Sequence, residues 1–177
     1  VTGSVLLAVA GPPARLVTGI LTNTRTTTDT VTYTVTPTNN GCNAPNFNIT
    51  VQVYPTQTVT APSISPICSG ATVPNTPITA TLAGTTYSWS AGTVSGGTVT
   101  GAGLLAVAGP STSFVTGILT NTGTTTATVT YTVTPTNNGC NAPNFNITVQ
   151  VRPTQTVSAP SISPICSGST TTLTANG

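Results

Sequence analysis

The chain has 177 residues and almost no charge: three arginines, one aspartate, and no lysine, glutamate or histidine, for a net charge of +2. A phosphate-neutralising surface needs many basic contacts, so nucleic acid is not an expected partner. General bases, clustered carboxylates for calcium, and the lysine of an isopeptide staple are also missing, so the expectation is no enzyme, no cofactor and no metal.

Hydrophobic residues make up 37% of the chain, and 44 threonines supply most of the polarity. Low charge therefore does not read as disorder, which pairs low hydrophobicity with high net charge. Threonine-based solubility suits an exported protein better than a cytoplasmic one, which relies on charge.

In chain order, the first apolar run is Val5-Leu6-Leu7-Ala8-Val9-Ala10. No basic leader precedes it and most of it recurs at 104–108, so it reads as a buried strand rather than a signal-peptide core. No apolar run reaches the ~20 residues that span a bilayer, so no membrane insertion is expected in this segment. Residues 30–36 then alternate strictly, with Val31, Tyr33 and Val35 on one face and threonines on the other. Phe47, Ile49, Val51 and Val53 repeat the pattern, and Asn39-Asn40-Gly41 between them is a turn signal, because Asn and Gly tolerate positive φ. Pro55-Thr56-Gln57-Thr58 reads as a short stiff linker. Strands are expected near 62–67, 77–83, 86–90, 97–100, 104–108, 114–120, 127–134 and 145–151, followed by a second linker at 153–156. Trp89, the single tryptophan, is placed at the centre of the core on a middle strand.

Residues 1–70 return as 99–168, at an offset of 98, with 60 of the 70 paired positions identical. A unit that long is too large for a solenoid repeat and the right size for a small domain. All four charges, Arg15, Arg25, Asp29 and Arg152, stand where the copies differ, facing Ser113, Gly123, Ala127 and Tyr54. Nothing common to both copies depends on them. The expected fold is all-β: tandem immunoglobulin-like β-sandwich repeats with a 98-residue period. Residues 1–55 are the C-terminal part of one repeat, 56–153 a complete repeat, and 154–177 the N-terminal part of the next.

Cys42, Cys68, Cys140 and Cys166 follow the same period. Without histidine or a CxxC pair, a zinc site is not expected, whereas a structural disulfide is the default in an oxidising compartment. The favoured pairing is Cys68–Cys140 within the complete repeat, with Cys42 and Cys166 paired outside the window. Cys42–Cys68 with Cys140–Cys166, clamping one repeat to the next, and free or intermolecular thiols stay open. Asn48-Ile49-Thr50 and Asn146-Ile147-Thr148 fit the N-glycosylation pattern. Asp29-Thr30-Val31 fits an O-glycosylation motif at Thr30, although the second copy has Ala127 in place of Asp29.

Several motifs run in a recognisable order through residues 61–153: Ile67-Cys68-Ser69-Gly70, Tyr87-Ser88-Trp89-Ser90, Leu119-Thr120-Asn121-Thr122, Val129 to Thr136, Asn138-Gly139-Cys140 and Ile147 to Pro153. This order resembles the PKD-like or immunoglobulin-like repeats of large secreted surface proteins of Bacteroidota. The resemblance implies type IX secretion, an extracellular, cell-surface location, and a role as the stalk or filament of an adhesin, including those of gliding motility. The partners expected are neighbouring repeats and other copies of the chain. Two further readings stand beside it: a glycan-binding sandwich whose partners are surface glycans, and a self-assembling filament with strand exchange.

Overall fold

The computed structural model describes residues 1–3, 19–157 and 161–172, so the expected strand at 5–10 lies outside the described residues. In chain order the first strands are β1 (Thr2–Gly3), β2 (Leu21–Thr22), β3 (Asp29–Val35), β4 (Thr38–Asn39), β5 (Cys42–Asn43) and β6 (Phe47–Val53). Next come β7 (Val59–Thr60), β8 (Ile67–Cys68), β9 (Thr76–Pro77), β10 (Thr79–Ala80), β11 (Thr86–Trp89), β12 (Thr93–Ser95) and β13 (Val99–Thr100). A 3-10 turn at Ala102–Leu104 precedes β14 (Val107–Ser111), β15 (Ser113–Phe114), β16 (Thr120–Asn121), β17 (Ala127–Asn137), β18 (Cys140–Asn141) and β19 (Phe145–Arg152).

The long strand β17 organises the fold. One of its edges pairs with β11 and then β12, and the other with β19 and then β18, all antiparallel. β14 extends the sheet beyond β11, and β8 closes the opposite side by pairing in parallel with β19. Strict alternation in the sequence becomes two faces here, because successive strand residues point to opposite sides. Val129, Tyr131, Val133, Ile147, Val149 and Val151 turn inward and are at most 1% exposed. Their threonine, asparagine and glutamine neighbours turn outward.

A second, more broken layer covers the inner face. It consists of the short ladders β9–β15 and β13–β16 and the single bridge Ala71↔Leu119. From this layer Val73, Val99, Phe114 and Leu119 enter the core. Trp89 lies between β14 and β17, as its sequence context indicates, and its ring centroid is 5.2 Å from that of Phe114. Phe114 in turn meets Tyr131 edge-on at 5.2 Å. Burial pushes the Tyr131 hydroxyl up to about 12, and the hydroxyl donates to the Gly103 carbonyl at 2.8 Å. Gly92 is required beside this cluster: a Cβ there would stand 2.6 Å from Val129 Cγ1 and 2.9 Å from Tyr131 Cε1.

The expected strands at 86–90, 127–134 and 145–151 are present almost at the stated bounds. Others are not. Residues 62–66 carry no regular structure and only Ile67 is paired, and 77–83 contains only the two-residue pieces at 76–77 and 79–80. Residues 104–108 begin in the 3-10 turn, and 114–120 is broken by Gly117. Thr93–Ser95, which carries too little apolar pattern to be noticed, is a strand. Strong alternation identifies strands buried on one face, whereas the second layer is held by two-residue ladders and one single bridge, too short to leave a periodic trace.

Residues 29–53 form a second hairpin, β3–β6, paired residue for residue as β17 pairs with β19. Its turn has Asn40 at φ 49° and Gly41 at φ 81°, and the other hairpin has Asn138 at 49° and Gly139 at 77°. Both central residues are left-handed, the geometry that Asn-Gly supplies in tight hairpins.

Candidate functional site

Two ends and one face of the central unit carry the features relevant to function. At the N-terminal end Gln57, 3% exposed, accepts a hydrogen bond from Thr85 Oγ1 through Oε1 (2.5 Å). Asn137 Nδ2, at the tip of β17, donates to the Ala83 carbonyl (2.9 Å) and to Thr85 Oγ1 (3.3 Å). Thr58 and Thr81 exchange bonds, with Thr58 N–H donating to Thr81 Oγ1 and Thr81 N–H to the Thr58 carbonyl, both at 3.0 Å. Gln57 and Thr58 thus belong to the folded unit, which corrects their expected role as linker. The buried Gln57 side chain is held through Oε1 by Thr85, while its Nε2 has no hydrogen-bond partner among the described residues, and this burial restricts swivelling of the chain there.

At the opposite end Asn121, 4% exposed, ties the last strand down. Its Nδ2 donates to the Thr125 and Val151 carbonyls, both at 2.8 Å, and its Oδ1 accepts from Gly123 N–H at 2.9 Å. Asn23 repeats the arrangement with Thr27, Val53 and Arg25 at 2.8, 2.8 and 2.9 Å. Sequence reading named Asn121 only as part of a motif and gave neither asparagine a role. Their signal was an amide repeated in Leu-Thr-Asn-Thr immediately before a loop, where a side chain that satisfies several backbone groups is most useful.

Outward from the sheet face Thr128, Thr130, Thr132 and Thr134 of β17, flanked by Asn146, Thr148 and Gln150 of β19 and by Thr93 and Ser95 of β12. Thr132 Oγ1 donates to Asn146 Oδ1 at 3.2 Å, and Thr34 Oγ1 to Asn48 Oδ1 at 3.0 Å in the other hairpin. Such a face exchanges hydrogen bonds with water or neutral polar groups, and its charged side chain within β12, β17 and β19 is Arg152, at the end of β19. Asn48, Asn146 and Thr30, the possible glycan acceptors, are exposed on these outer faces within regular strands.

The expected Cys68–Cys140 disulfide is not formed: all four cysteines are free and exposed. Register explains why. Cys68 sits beside Arg152, just past the level where Val151 faces Ala127, whereas Cys140 sits opposite Asn137. The span of β17 between those levels is roughly 30 Å at about 3.3 Å per residue, against the ~7 Å limit for bridged Cα atoms. The Cys42–Cys68 and Cys140–Cys166 pairings are not formed either.

Among the described residues no group of three or more His, Cys, Asp or Glu side chains comes together. An open hollow of about 420 Å³ beside Tyr87 is lined mainly by Ile78, Leu82, Thr85 and Thr112. Its one ionisable group, the Tyr87 hydroxyl, is raised by burial and lies 3.4 Å from the Ile78 carbonyl.

The description of the PKD-like domain matches residues 1–57 and 65–155. No curated protein and no solved structure matches the chain. PKD-like domains are immunoglobulin-type β-sandwich modules, typically extracellular and generally non-catalytic. The strand-rich, nearly helix-free architecture fits that type, and among the described residues no helix is long and apolar enough to cross a membrane. With most of its length matched in two stretches, the chain belongs to the PKD-like domain family.

Proposed function

We propose that the chain is a stretch of stalk from a secreted cell-surface adhesin or filament, in which tandem PKD-like sandwiches repeated every 98 residues gain reach for attachment or gliding. On this reading residues 1–55, 56–153 and 154–177 belong to three successive units. One observation carries the proposal: the chain joins the central unit at one end and leaves it at the other, through a very short junction. Gln57 is buried at the Asn137 end, and Arg152 departs at the Ala127 end. Before the unit, Asn23 holds the Val53 carbonyl, so only Tyr54, Pro55 and Thr56 lie between two anchored points. Three residues, one of them proline, transmit direction rather than allow free rotation.

The pairing of β8 with β19 suits such a load. The two strands run parallel, so tension applied through the N-terminal end and the C-terminal exit slides one along the other. Bonds loaded side by side must yield together, whereas a hairpin pulled open from its end yields one bond at a time. The hydroxyl-rich face, which carries the single charge of Arg152 at the end of β19, keeps the stalk soluble, and Asn48, Asn146 and Thr30 offer exposed positions for glycans.

Small-angle scattering tests the reading. A compact globule of this length has a radius of gyration of about 16 Å. A stalk gives a distinctly larger value and the scattering profile of a rod. A value at the compact figure removes the proposal.

A further inference from the structure

Both hairpin tips carry asparagine followed by glycine, Asn40-Gly41 and Asn138-Gly139; a third such pair, Asn176-Gly177, lies outside the described residues. Asparagine is a chemically labile residue, because its side-chain carbonyl can be attacked by the main-chain nitrogen of the residue that follows. Most asparagines of the unit are restrained from this reaction. Asn141 Oδ1 accepts from Thr136 at 2.9 Å, Asn146 Oδ1 accepts from Thr132 at 3.2 Å, and Asn137 Nδ2 donates to the Ala83 carbonyl at 2.9 Å.

The two tips differ in every respect that matters. Asn40, Gly41, Asn138 and Gly139 are all exposed. Among the described residues neither Asn40 nor Asn138 makes a side-chain hydrogen bond, and neither glycine N–H donates to a main-chain carbonyl. The closing pair of the turn is Asn137 with Cys140, one step inside, which leaves the Gly139 nitrogen out of the ladder. Nothing stands within 4 Å of where a Cβ would be on Gly41 or Gly139, so the approach is open. Asn75 is exposed and unbonded too, but Thr76 follows it, and a β-branched side chain crowds the attacking nitrogen.

We infer that Asn138 and Asn40 are sites of self-modification, at which the folded chain converts an amide into a carboxylate without an enzyme. The Gly139 nitrogen gives up its proton to water and bonds to Asn138 Cγ, and Nδ2 leaves with a proton as ammonia. Water then opens the resulting succinimide ring. Opening at Cγ gives aspartate; opening at the main-chain carbonyl gives isoaspartate, which sends one extra carbon through the backbone of the turn.

The consequences are local and repeated. Asp29 is the chain's one acid and has no counterpart in the second copy, so conversion supplies an acid at the same place in both. Conversion at both turns takes the net charge from +2 to zero. An isoaspartate at 138 no longer fits the turn that aligns Asn137 with Cys140 and Thr136 with Asn141. Asn137 also holds Ala83 and Thr85, so the loosening reaches the end of the unit where Gln57 is buried. The inference does not depend on the stalk reading, since it requires only the turns.

The test incubates the full chain at neutral and mildly alkaline pH and follows each asparagine by peptide mapping and mass spectrometry. Positions 40 and 138 should each gain about one dalton at least about tenfold faster than Asn75, Asn141 or Asn146, since glycine alone leaves its nitrogen uncrowded. The rate should rise about tenfold per pH unit, as the deprotonated fraction of a very weak acid does. Gly139→Asn, which tolerates the left-handed turn but adds a Cβ, should slow conversion at 138 about tenfold and leave position 40 unchanged. Hydrogen exchange at 137–141 should quicken as the chain ages, and stay constant in Asn138→Gly, which keeps the turn and removes the amide. The inference is overturned if position 138 converts no faster than Asn75, if the rate ignores pH, or if Gly139→Asn converts as fast as the parent. Conversion at 138 with unchanged exchange at 137–141 overturns the loosening.

Discussion

Residues 19–54 and 117–152 differ at only three paired positions, 25/123, 29/127 and 54/152, yet they live in different surroundings. Ladder register, the Asn-Gly turn and the asparagine anchor are the same in both. Burial is not. Val129, Val133, Ile147, Val149 and Val151 are essentially inaccessible, whereas Val31, Val35, Ile49, Val51 and Val53 are only half-buried, and Phe47 is 50% exposed. Tyr131 has its partner at Gly103, while the buried Tyr33 hydroxyl has none among the described residues. A β-hairpin of this sequence is therefore specified locally. Its apolar face becomes a core only where Trp89, Phe114, Val73 and Leu119 arrive from elsewhere in the chain. This follows from the physics of burial: alternation prepares a surface, and the favourable free energy comes only when another surface displaces water from it.

The largest contrast is expected from paired truncations of that face. Ile147→Ala should cost about 2–5 kcal/mol in chemical denaturation, the usual range for emptying a packed site. Ile49→Ala should cost less than about 1 kcal/mol, because water already reaches the position. Equal effects would mean that the hairpin is covered in solution.

The asparagine anchors give the next contrast. Asn121→Ala removes two donated bonds and one accepted bond and leaves the Val151 carbonyl buried without its partner, for about 2–3 kcal/mol. Asn23→Ala should mainly loosen its own loop, seen as faster hydrogen exchange around Thr27 and Val53 with little change in the main unfolding transition.

A pH titration probes the buried hydroxyl of Tyr131. Burial lifts the Tyr131 hydroxyl to about 12, whereas an unfolded tyrosine ionises near 10. The unfolded state then loses its proton first, so the stabilisation is complete below about pH 10 and declines as pH rises from there toward 12, by up to about 2 kcal/mol. Denaturation midpoints measured across that window should fall in the intact chain and stay flatter in Tyr131→Phe.

The smallest expected effect is at the hydroxyls themselves at neutral pH. Tyr131→Phe leaves the Gly103 carbonyl without its donor and should cost about 1 kcal/mol. Tyr33→Phe should be neutral or slightly stabilising by thermal unfolding. A clear loss at Tyr33 would reveal a partner for its hydroxyl in solution.

Much of the fold was readable in the residues. Trp89 in the core, the inward valines of 127–134 and 145–151, and the Asn-Gly turns all follow from local pattern and backbone preference. The edges of the unit were not. Gln57 resembled a linker residue because proline and threonines surround it, and only its contact with Thr85 shows it to be part of the fold. The cysteines misled for a related reason. Regular spacing invited a bridge between Cys68 and Cys140, but spacing along the chain carries no information about which end of a sheet each residue reaches.

Sequence alone determined what this protein lacks and what it repeats: the missing charges and bases, the alternating threonine and valine, and the near-duplicate halves. Those properties reside in single residues and their nearest neighbours, so they need no fold to express them. Tertiary structure decided which side chains cover the hairpin of β17 and β19, which ends the cysteines occupy, and how the chain passes from one end of the unit to the other. Each of these is set by strand pairing between distant residues, and a change of register would reassign all of them without altering a letter.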